Sequence, residues 1–202
     1  SQADRRWKNF IVPKDMPRFS NPSSGFLSNA NEPLSSAILS EYEAPYRAMR
    51  LVDRLTQAGS FQLRDMAKLQ IDTFTQDAKI LLPFMTAVAP PTAQSEAALD
   101  LLKKWDMHMS REKPEPLIYM AWLSLIQARL IQDDLGTLSH VYKGLRPELI
   151  HRILSSNPER CDDKQTTSVE TCEQQLITAL EAALNILGQR YGRDLTTWRW
   201  GE

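Results

Sequence analysis

Cysteine and glycine are scarce in this chain of 202 residues, which holds two cysteines and seven glycines. With so few glycines, the sequence has no glycine-rich loop of the kind that cradles phosphate groups. The two cysteines, Cys161 and Cys172, stand without the histidine-rich partner set that a zinc site requires. The sequence therefore shows no evident cofactor-binding or metal-binding motif.

Neither sign of charge predominates, because 24 lysines and arginines accompany 25 aspartates and glutamates, for a net charge of −1. Such a balance lacks the basic surface that binds nucleic acids and anionic membranes. No apolar run approaches the roughly 20 residues of a membrane-spanning helix, and the segment SQADRRWKNF lacks the apolar centre of a signal peptide. We therefore expect neither nucleic acid nor membrane as a partner, and any export signal outside this sequence.

The two cysteines flank a hydrophilic segment without apolar anchors. They are either two unrelated thiols or a local disulfide that closes a loop, and we favour the disulfide between Cys161 and Cys172. On the chain-entropy model, closing a loop this short would raise the free energy of unfolding by about 3 kcal/mol. Because disulfides persist in oxidising compartments, the pairing implies a periplasmic or secreted bacterial protein.

Residues 1–43 are irregular, since four prolines interrupt any helix there, and GFLSNAN is the best candidate for a short strand. From residue 44 to 202, helical periodicity predominates. The pattern predicts a mainly α chain of about six helices, with the second beginning near Ser60 and continuing until Pro83. The predicted apolar stripes lie at Ala48–Leu55, Ala67–Leu82, Ala98–Trp105, Ile118–Leu125, Leu149–Leu154 and Leu176–Tyr191.

The chain offers no complete catalytic set by itself. Its three histidines are scattered, without the paired spacing of a metal site on a helix. The neighbouring Asp133 and Asp134 lack the further oxygen ligands that a cation site needs, and no serine lies in a nucleophile-elbow context. The residues concerned are His108, His140, His151, Asp133, Asp134, Ser110, Ser124 and Ser139.

An exception is the segment FSNPSSGFLSNANEPL at 19–34, which gathers Asn21, Asn29 and Asn31 around an apolar pair. It belongs to WKNFIVPKDMPRFSNPSSGFLSNAN, at 7–31, which resembles the penicillin acylase family of N-terminal-nucleophile hydrolases. The likeness continues through YEAPYRAMRLVDRL, SFQLRDMAKLQIDTFTQDAKILLP, LLKKWD and ALEAALNILGQRYGRDLTTWRWG. These five blocks follow the family's order and spacing from Trp7 to Gly201.

The resemblance assigns roles to two residues. Asn31 matches the asparagine whose side-chain amide donates to the developing oxyanion, a role that suits a donor that does not titrate. Arg47 matches an arginine that helps organise the active site, although an arginine on a helix surface remains an alternative. Asn21, and to a lesser degree Asn29, fit the simpler role of satisfying turn backbone.

The resemblance also implies that the chain is part of a longer enzyme with an αββα fold. The family's nucleophile is an amino-terminal Ser, Thr or Cys whose own α-amine is the general base. Ser1 does not match it, because Trp7 belongs to a block well downstream of the nucleophile. Calcium is possible in the parent enzyme, yet residues 32–46 hold no aspartate, only Glu32, Glu41 and Glu43.

We therefore expect residues 1–43 and 44–202 to form one partial domain of an amide hydrolase. Its partners would be the small subunit, the rest of the large subunit, and an N-acyl amide such as a β-lactam antibiotic or an N-acyl homoserine lactone. The isolated chain would be inactive, because it lacks the nucleophile. The alternative is a non-catalytic helical interaction domain derived from the same family.

Overall fold

The structure is a computed structural model that describes residues 11–32, 42, 44–57, 59–139, 141–142 and 144–202. The chain divides into two compact units, residues 1–69 and 70–202. The described helices are α1 (Tyr46–Gln57), α2 (Leu63–Gln70), α3 (Gln76–Met85), α4 (Ala93–Lys104), α5 (Glu115–Leu135), α6 (Pro147–Ser156) and α7 (Cys172–Tyr191). The prediction of a mainly helical chain is confirmed. None of these helices combines the length and the apolarity that a bilayer span requires.

The strand predicted within GFLSNAN is absent from the described residues 11–32. Gly25 begins this segment with a φ of 75°, and its N–H donates to the carbonyl oxygen of Pro22 at 2.9 Å. Asn31 ends the segment with a φ of 65°. A strand needs backbone hydrogen bonds to a neighbouring strand, and residues 26–30, between these two turns, make none within the described chain. The strand prediction is therefore wrong for this part of the molecule.

The predicted second helix is instead two helices, α2 and α3, so that seven described helices replace the six expected. The residues between α2 and α3 pair with the segment that follows α4, through an antiparallel bridge between Phe74 and His108. Thr75 N–H donates to the carbonyl of Met107 at 2.9 Å, and Met109 N–H donates to the carbonyl of Thr73 at 3.0 Å. Because threonine favours extended backbone, this pairing competes successfully with a continuous helix.

Pro83 lies inside α3 and does not end it, since the helix continues to Met85. A proline in this position removes the hydrogen bond to the carbonyl of Lys79. Both residues are exposed, so water can solvate the carbonyl that loses its partner. The helix therefore tolerates a residue that the sequence pattern marked as its end.

The core of the unit 70–202 lies where α5 and α7 pack against each other. Trp122 is fully buried there, and its indole N–H donates to the carbonyl of Leu176 at 2.9 Å. Helix α4 packs against both helices, and α6 packs against α3 and α5. The largest fully buried side chains are Trp122, Trp198, Tyr119, Leu81, Met85, Leu99, Leu102, Ile118, Leu123, Ile126, Ile150 and Ile153.

Two capping boxes determine where α4 and α7 begin. The Thr92 hydroxyl accepts the N–H of Ser95 at 3.1 Å, and the Thr171 hydroxyl accepts the N–H of Gln174 at 3.2 Å. Each box satisfies backbone donors that a helix start leaves unpaired. Helix α4 therefore begins at Ala93, directly after its N-cap residue Thr92.

The helices of the unit within residues 1–69 are packed less completely. Helix α1 has a predicted apolar stripe, of which Ala48, Leu51 and Leu55 are half-buried while Val52 is exposed. No described residue of α1 or α2 is fully buried. The amphipathic pattern therefore predicted α1 and α2 correctly as helices, although their apolar faces are not fully buried within the described residues.

Candidate functional site

The asparagine-rich segment 21–32 folds as a series of turns. Asn21 and Asn31 both adopt positive φ, at 46° and 65°. Asparagine tolerates this left-handed region better than most residues, because its short polar side chain bonds locally. The Ser24 hydroxyl donates to the carbonyl of Phe26 at 2.9 Å, which supports the turn that ends at Gly25. The positive φ of its backbone thus accounts for an asparagine at position 21.

The turn at residues 29–32 distinguishes the two remaining asparagines. The Asn29 side-chain oxygen accepts the backbone N–H of Asn31 at 3.2 Å, which forms an Asx turn. Ala30 is buried, with 3% of its surface exposed, and its N–H donates to the Glu32 carboxylate. Asn31 is exposed, and no hydrogen bond of its side chain occurs within the described residues. The Asn31 amide is therefore available to an external acceptor, whereas the Asn29 amide oxygen is already used.

Arg47 is the second residue of α1 and is exposed. It makes no ion pair within the described residues, in contrast to Arg50, whose guanidinium lies 3.4 Å from the Asp53 carboxylate. Arg47 and Asn31 belong to the same compact unit. No hydrogen bond between them occurs in the described part of the chain, so the organising role of Arg47 stays a prediction.

The described histidines, His108 and His151, and the aspartate Asp134 contact neighbouring side chains. His108 contacts the Thr73 hydroxyl through Nδ1 at 3.3 Å, and His151 packs its ring edge-on against Phe84. Asp134 forms an ion pair with Arg160. Within the described residues, no group of three or more histidines, cysteines or acids is arranged to hold a metal ion. His140, Ser1, Trp7, Glu41 and Glu43 lie outside the described residues.

The two cysteines form a disulfide with a Cα–Cα distance of 4.9 Å. It joins a short 3-10 helix, Pro158–Cys161, to the first residue of α7. The buried Gln175 strengthens the same junction, since its Nε2 donates to the Cys161 carbonyl at 2.9 Å and its Oε1 accepts from Arg129 at 2.6 Å. The predicted disulfide therefore lies beside hydrogen bonds that join α5, α7 and Cys161 through Gln175. The sequence did not indicate these hydrogen bonds.

Two clefts in the unit 70–202 were also missed by the sequence analysis. The first, of about 680 Å³, lies between α4 and residues 193–196. The second, of about 770 Å³, lies beside the outer face of α7. Gln94 and Arg193 line both clefts. Gly188 lies inside α7 and lines the second cleft. Because glycine is disfavoured within helices, its presence there was the feature of the sequence that could have indicated this cleft.

The sequence model of the penicillin amidase family matches residues 1–202, and the chain therefore belongs to that family. It is 25% identical over 154 residues to Penicillin acylase 2 proenzyme of Pseudomonas sp. (strain SE83), covering 72% of this chain and 20% of that protein. It is 24% identical over 224 residues to the acyl-homoserine lactone acylase QuiP of Pseudomonas putida, covering 97% of this chain and 27% of that protein. The resemblance recognised in the sequence is confirmed.

Among solved structures, the fold is similar to a thermostable penicillin G acylase from Alcaligenes faecalis, with a TM-score of 0.65 and 19% identity. The match covers 88% of this chain and 38% of the acylase chain. At that identity the likeness concerns the fold alone. The chain thus spans 20% and 27% of the length of the two relatives that it matches.

Proposed function

We propose that this chain is part of an acylase that hydrolyses the amide bond between an acyl group and an amine. The observation that carries the proposal is the match of the penicillin amidase family model to residues 1–202. The names of the two relatives, a penicillin acylase and an acyl-homoserine lactone acylase, indicate N-acylated substrates. Either a β-lactam antibiotic or an N-acyl homoserine lactone belongs to that class of substrate.

Asn31 is the proposed oxyanion donor of this reaction. Attack on the amide carbonyl moves negative charge onto its oxygen, and a neutral amide N–H₂ stabilises that charge without titrating. Two features of the structure support this choice over Asn29. The Asn31 side chain is exposed and makes no hydrogen bond within the described residues. Its backbone N–H donates to the Asn29 side chain at 3.2 Å, which holds the turn that carries the proposed donor.

The remaining parts of the reaction are proposed to come from the other segments of the acylase. An amino-terminal Ser, Thr or Cys would be the nucleophile, and its α-amine the general base. Arg47 is proposed to help organise the site from the start of α1. The disulfide between Cys161 and Cys172 supports a location in the periplasm or outside the cell, where such bonds persist.

Three substitutions in the full-length enzyme test the role of Asn31. Asn31→Gly removes the amide but retains the positive φ, and we expect kcat/KM on an N-acyl chromogenic amide to fall by about 10²–10³. Asn31→Ala removes the same amide and adds backbone strain, so it should lose activity to the same extent with a lower Tm. Asn29→Ala should cost no more than about tenfold, because it removes only one neutral hydrogen bond.

The matched control is Asn21→Gly, which changes an exposed asparagine of positive φ outside the 29–32 turn. It should leave kcat/KM unchanged. Equal losses for the Asn29 and Asn31 variants at unchanged Tm would show that turn geometry, and not an oxyanion donor, is required. A full-length protein without amidase turnover would favour the alternative, a non-catalytic helical interaction domain.

A further inference from the structure

The turn at residues 29–32 is held by hydrogen bonds from side chains on both sides of it. The backbone N–H of Asn31 donates to the Asn29 side-chain oxygen at 3.2 Å. The backbone N–H of Ala30 donates to the Glu32 carboxylate. These two N–H groups are consecutive in the chain, so both peptide groups that flank Ala30 are restrained. The backbone from which the Asn31 side chain projects is therefore restrained by Glu32 as well as by Asn29.

Ala30 is the buried residue of this turn. It is 3% exposed, and among the described residues 11–32 it alone is buried. A backbone N–H on such a residue needs an acceptor within the protein, because water does not reach it freely. The acceptor that the described chain supplies is the Glu32 carboxylate. Glu32 therefore satisfies a donor that would otherwise be unpaired, one residue before the proposed oxyanion donor.

Glu32 makes the stronger of the two hydrogen bonds. A bond to an ionised acceptor is roughly twice as strong as one between neutral groups, and the Asn29 oxygen is neutral. Glu32 is half-buried, so water competes only partly for its carboxylate. Pro33 follows it in the sequence, and a proline restricts the preceding residue to extended backbone. The residue that carries the carboxylate is therefore itself restrained.

The negative charge of Glu32 does not by itself suit a position next to Asn31. Like charges repel, so a carboxylate there opposes the negative charge that develops on the substrate oxygen. The contact that the structure shows for Glu32 is its hydrogen bond to the Ala30 N–H. The property that the turn uses is therefore the acceptor oxygen of Glu32 and not its charge.

We propose that Glu32 is a positioning residue for the Asn31 amide. It acts through the backbone of Ala30, whose N–H it accepts. With this bond in place the turn presents the Asn31 side chain to the oxyanion, and without an acceptor at position 32 the turn populates other backbone conformations. The inference rests on the proposed function, because it concerns the geometry of the proposed oxyanion donor. No contact between Glu32 and the substrate is required.

Two substitutions in the full-length enzyme separate the acceptor from the charge. Glu32→Gln retains an acceptor oxygen without the charge, and we expect kcat/KM on an N-acyl chromogenic amide to stay within about threefold of wild type. Glu32→Met has a similar length without that oxygen, and kcat/KM should fall at least about tenfold, because small displacements of a catalytic group slow reactions strongly. The loss should lie in kcat, since the oxyanion forms only in the transition state. Equal losses for the two variants would overturn the proposal.

The double variant Asn31→Gly/Glu32→Met tests whether Glu32 acts through Asn31. Once the amide is absent its positioning has no effect on the rate, so kcat/KM should equal that of Asn31→Gly to within about threefold. Losses that multiply would show that Glu32 acts independently of Asn31, and would overturn the proposal. Full activity of Glu32→Met beside a large loss for Asn31→Gly would refute this inference alone. If Asn31→Gly itself leaves kcat/KM unchanged, the proposed oxyanion role fails and the inference fails with it.

Glu170→Met is the matched control for a loss of stability. Glu170 is also half-buried, and its carboxylate accepts the backbone N–H of Asp163 at 3.1 Å within the unit 70–202. Its substitution removes a hydrogen bond of the same kind, so the Tm should fall while kcat/KM stays within about twofold of wild type. If Glu170→Met and Glu32→Met lower kcat/KM equally at similar Tm, general destabilisation explains the loss and the proposal is refuted.

Discussion

Removal of the disulfide should destabilise the unit 70–202 mainly by releasing its unfolded chain. Cys161 and Cys172 are 11 positions apart, and closing a loop of that size lowers the unfolded-state entropy by an amount equivalent to about 3 kcal/mol. The native loop has further contacts, because Glu170 N–H donates to Asp162 at 3.0 Å and Asp163 N–H donates to Glu170 at 3.1 Å. These contacts hold the folded loop together but do not restrain the unfolded chain.

The measurement is urea unfolding of wild type and of the double variant Cys161→Ala/Cys172→Ala. Alanine is suitable because Cys161 is 2% exposed, and serine would bury a hydroxyl without a known partner. We expect the free energy of unfolding to fall by about 3 kcal/mol. The slope of that free energy against urea should rise, because the unfolded chain exposes more surface.

Dithiothreitol provides the matched control for the same experiment. It should lower the stability of wild type to nearly that of the double variant, and it should not affect the double variant itself. A loss below about 1 kcal/mol with an unchanged urea slope would refute the loop-entropy reasoning. It would mean that the loop is already restrained in the unfolded ensemble.

Two further predictions concern single positions. Gly188→Ala should raise the free energy of unfolding by about 1 kcal/mol in urea titrations, because the new Cβ meets no atom within 4 Å and alanine favours the helix; a lower Tm would contradict this. The Lys113 ammonium, 2.7 Å from the Asp106 carboxylate, lowers the pKa of Asp106 below 3.8, and Asp106 raises the pKa of Lys113 above 10.5. The ion pair therefore stabilises the fold between pH 3.8 and pH 10.5, where both groups are charged. As pH falls below 3.8 and Asp106 becomes protonated, the fold loses this stabilisation, which is at most about 1 kcal/mol for so exposed a pair. Lys113→Met should remove this acid-dependent loss from urea unfolding at pH 6 and pH 2.5, and Lys103→Met should retain it.

Helical periodicity in the sequence determined most of the described secondary structure. The apolar stripes at Ala98–Trp105 and Leu176–Tyr191 correspond to α4 and α7, and α7 ends at Tyr191, the last residue of its stripe. Amphipathic spacing predicts such helices because each buries one face against a neighbour, whatever that neighbour is. The five sequence blocks likewise sufficed to recognise the penicillin amidase family.

Local sequence patterns gave wrong predictions of secondary structure where a distant segment forms hydrogen bonds with the backbone. Residues 71–75 leave the helical path because residues 107–109 supply hydrogen-bonding partners more than thirty positions away. The opposite failure occurred at GFLSNAN, where the predicted strand is not formed and has no partner strand within the described chain. Strand pairing depends on long-range hydrogen bonds, which a window of neighbouring residues does not contain.

Asn31 shows how far each source of information extends. The motif indicated an oxyanion donor, and the role of Asn31 in catalysis remains a prediction. The structure adds that the Asn29 side chain holds the Asn31 backbone, whereas the Asn31 amide makes no hydrogen bond within the described residues. That distinction between two asparagines two positions apart depends on which side chain bonds to the turn backbone, which the sequence motif does not reveal.

Only the tertiary structure brought together the groups that lie far apart in the chain. Gln94 and Arg193 are 99 positions apart, yet one hydrogen bond joins them and both line the two clefts. Gln175 similarly connects Arg129 of α5 with the carbonyl of Cys161. Such sites arise from the packing of α4, α5 and α7, because packing decides which polar groups are removed from water together and must bond to one another.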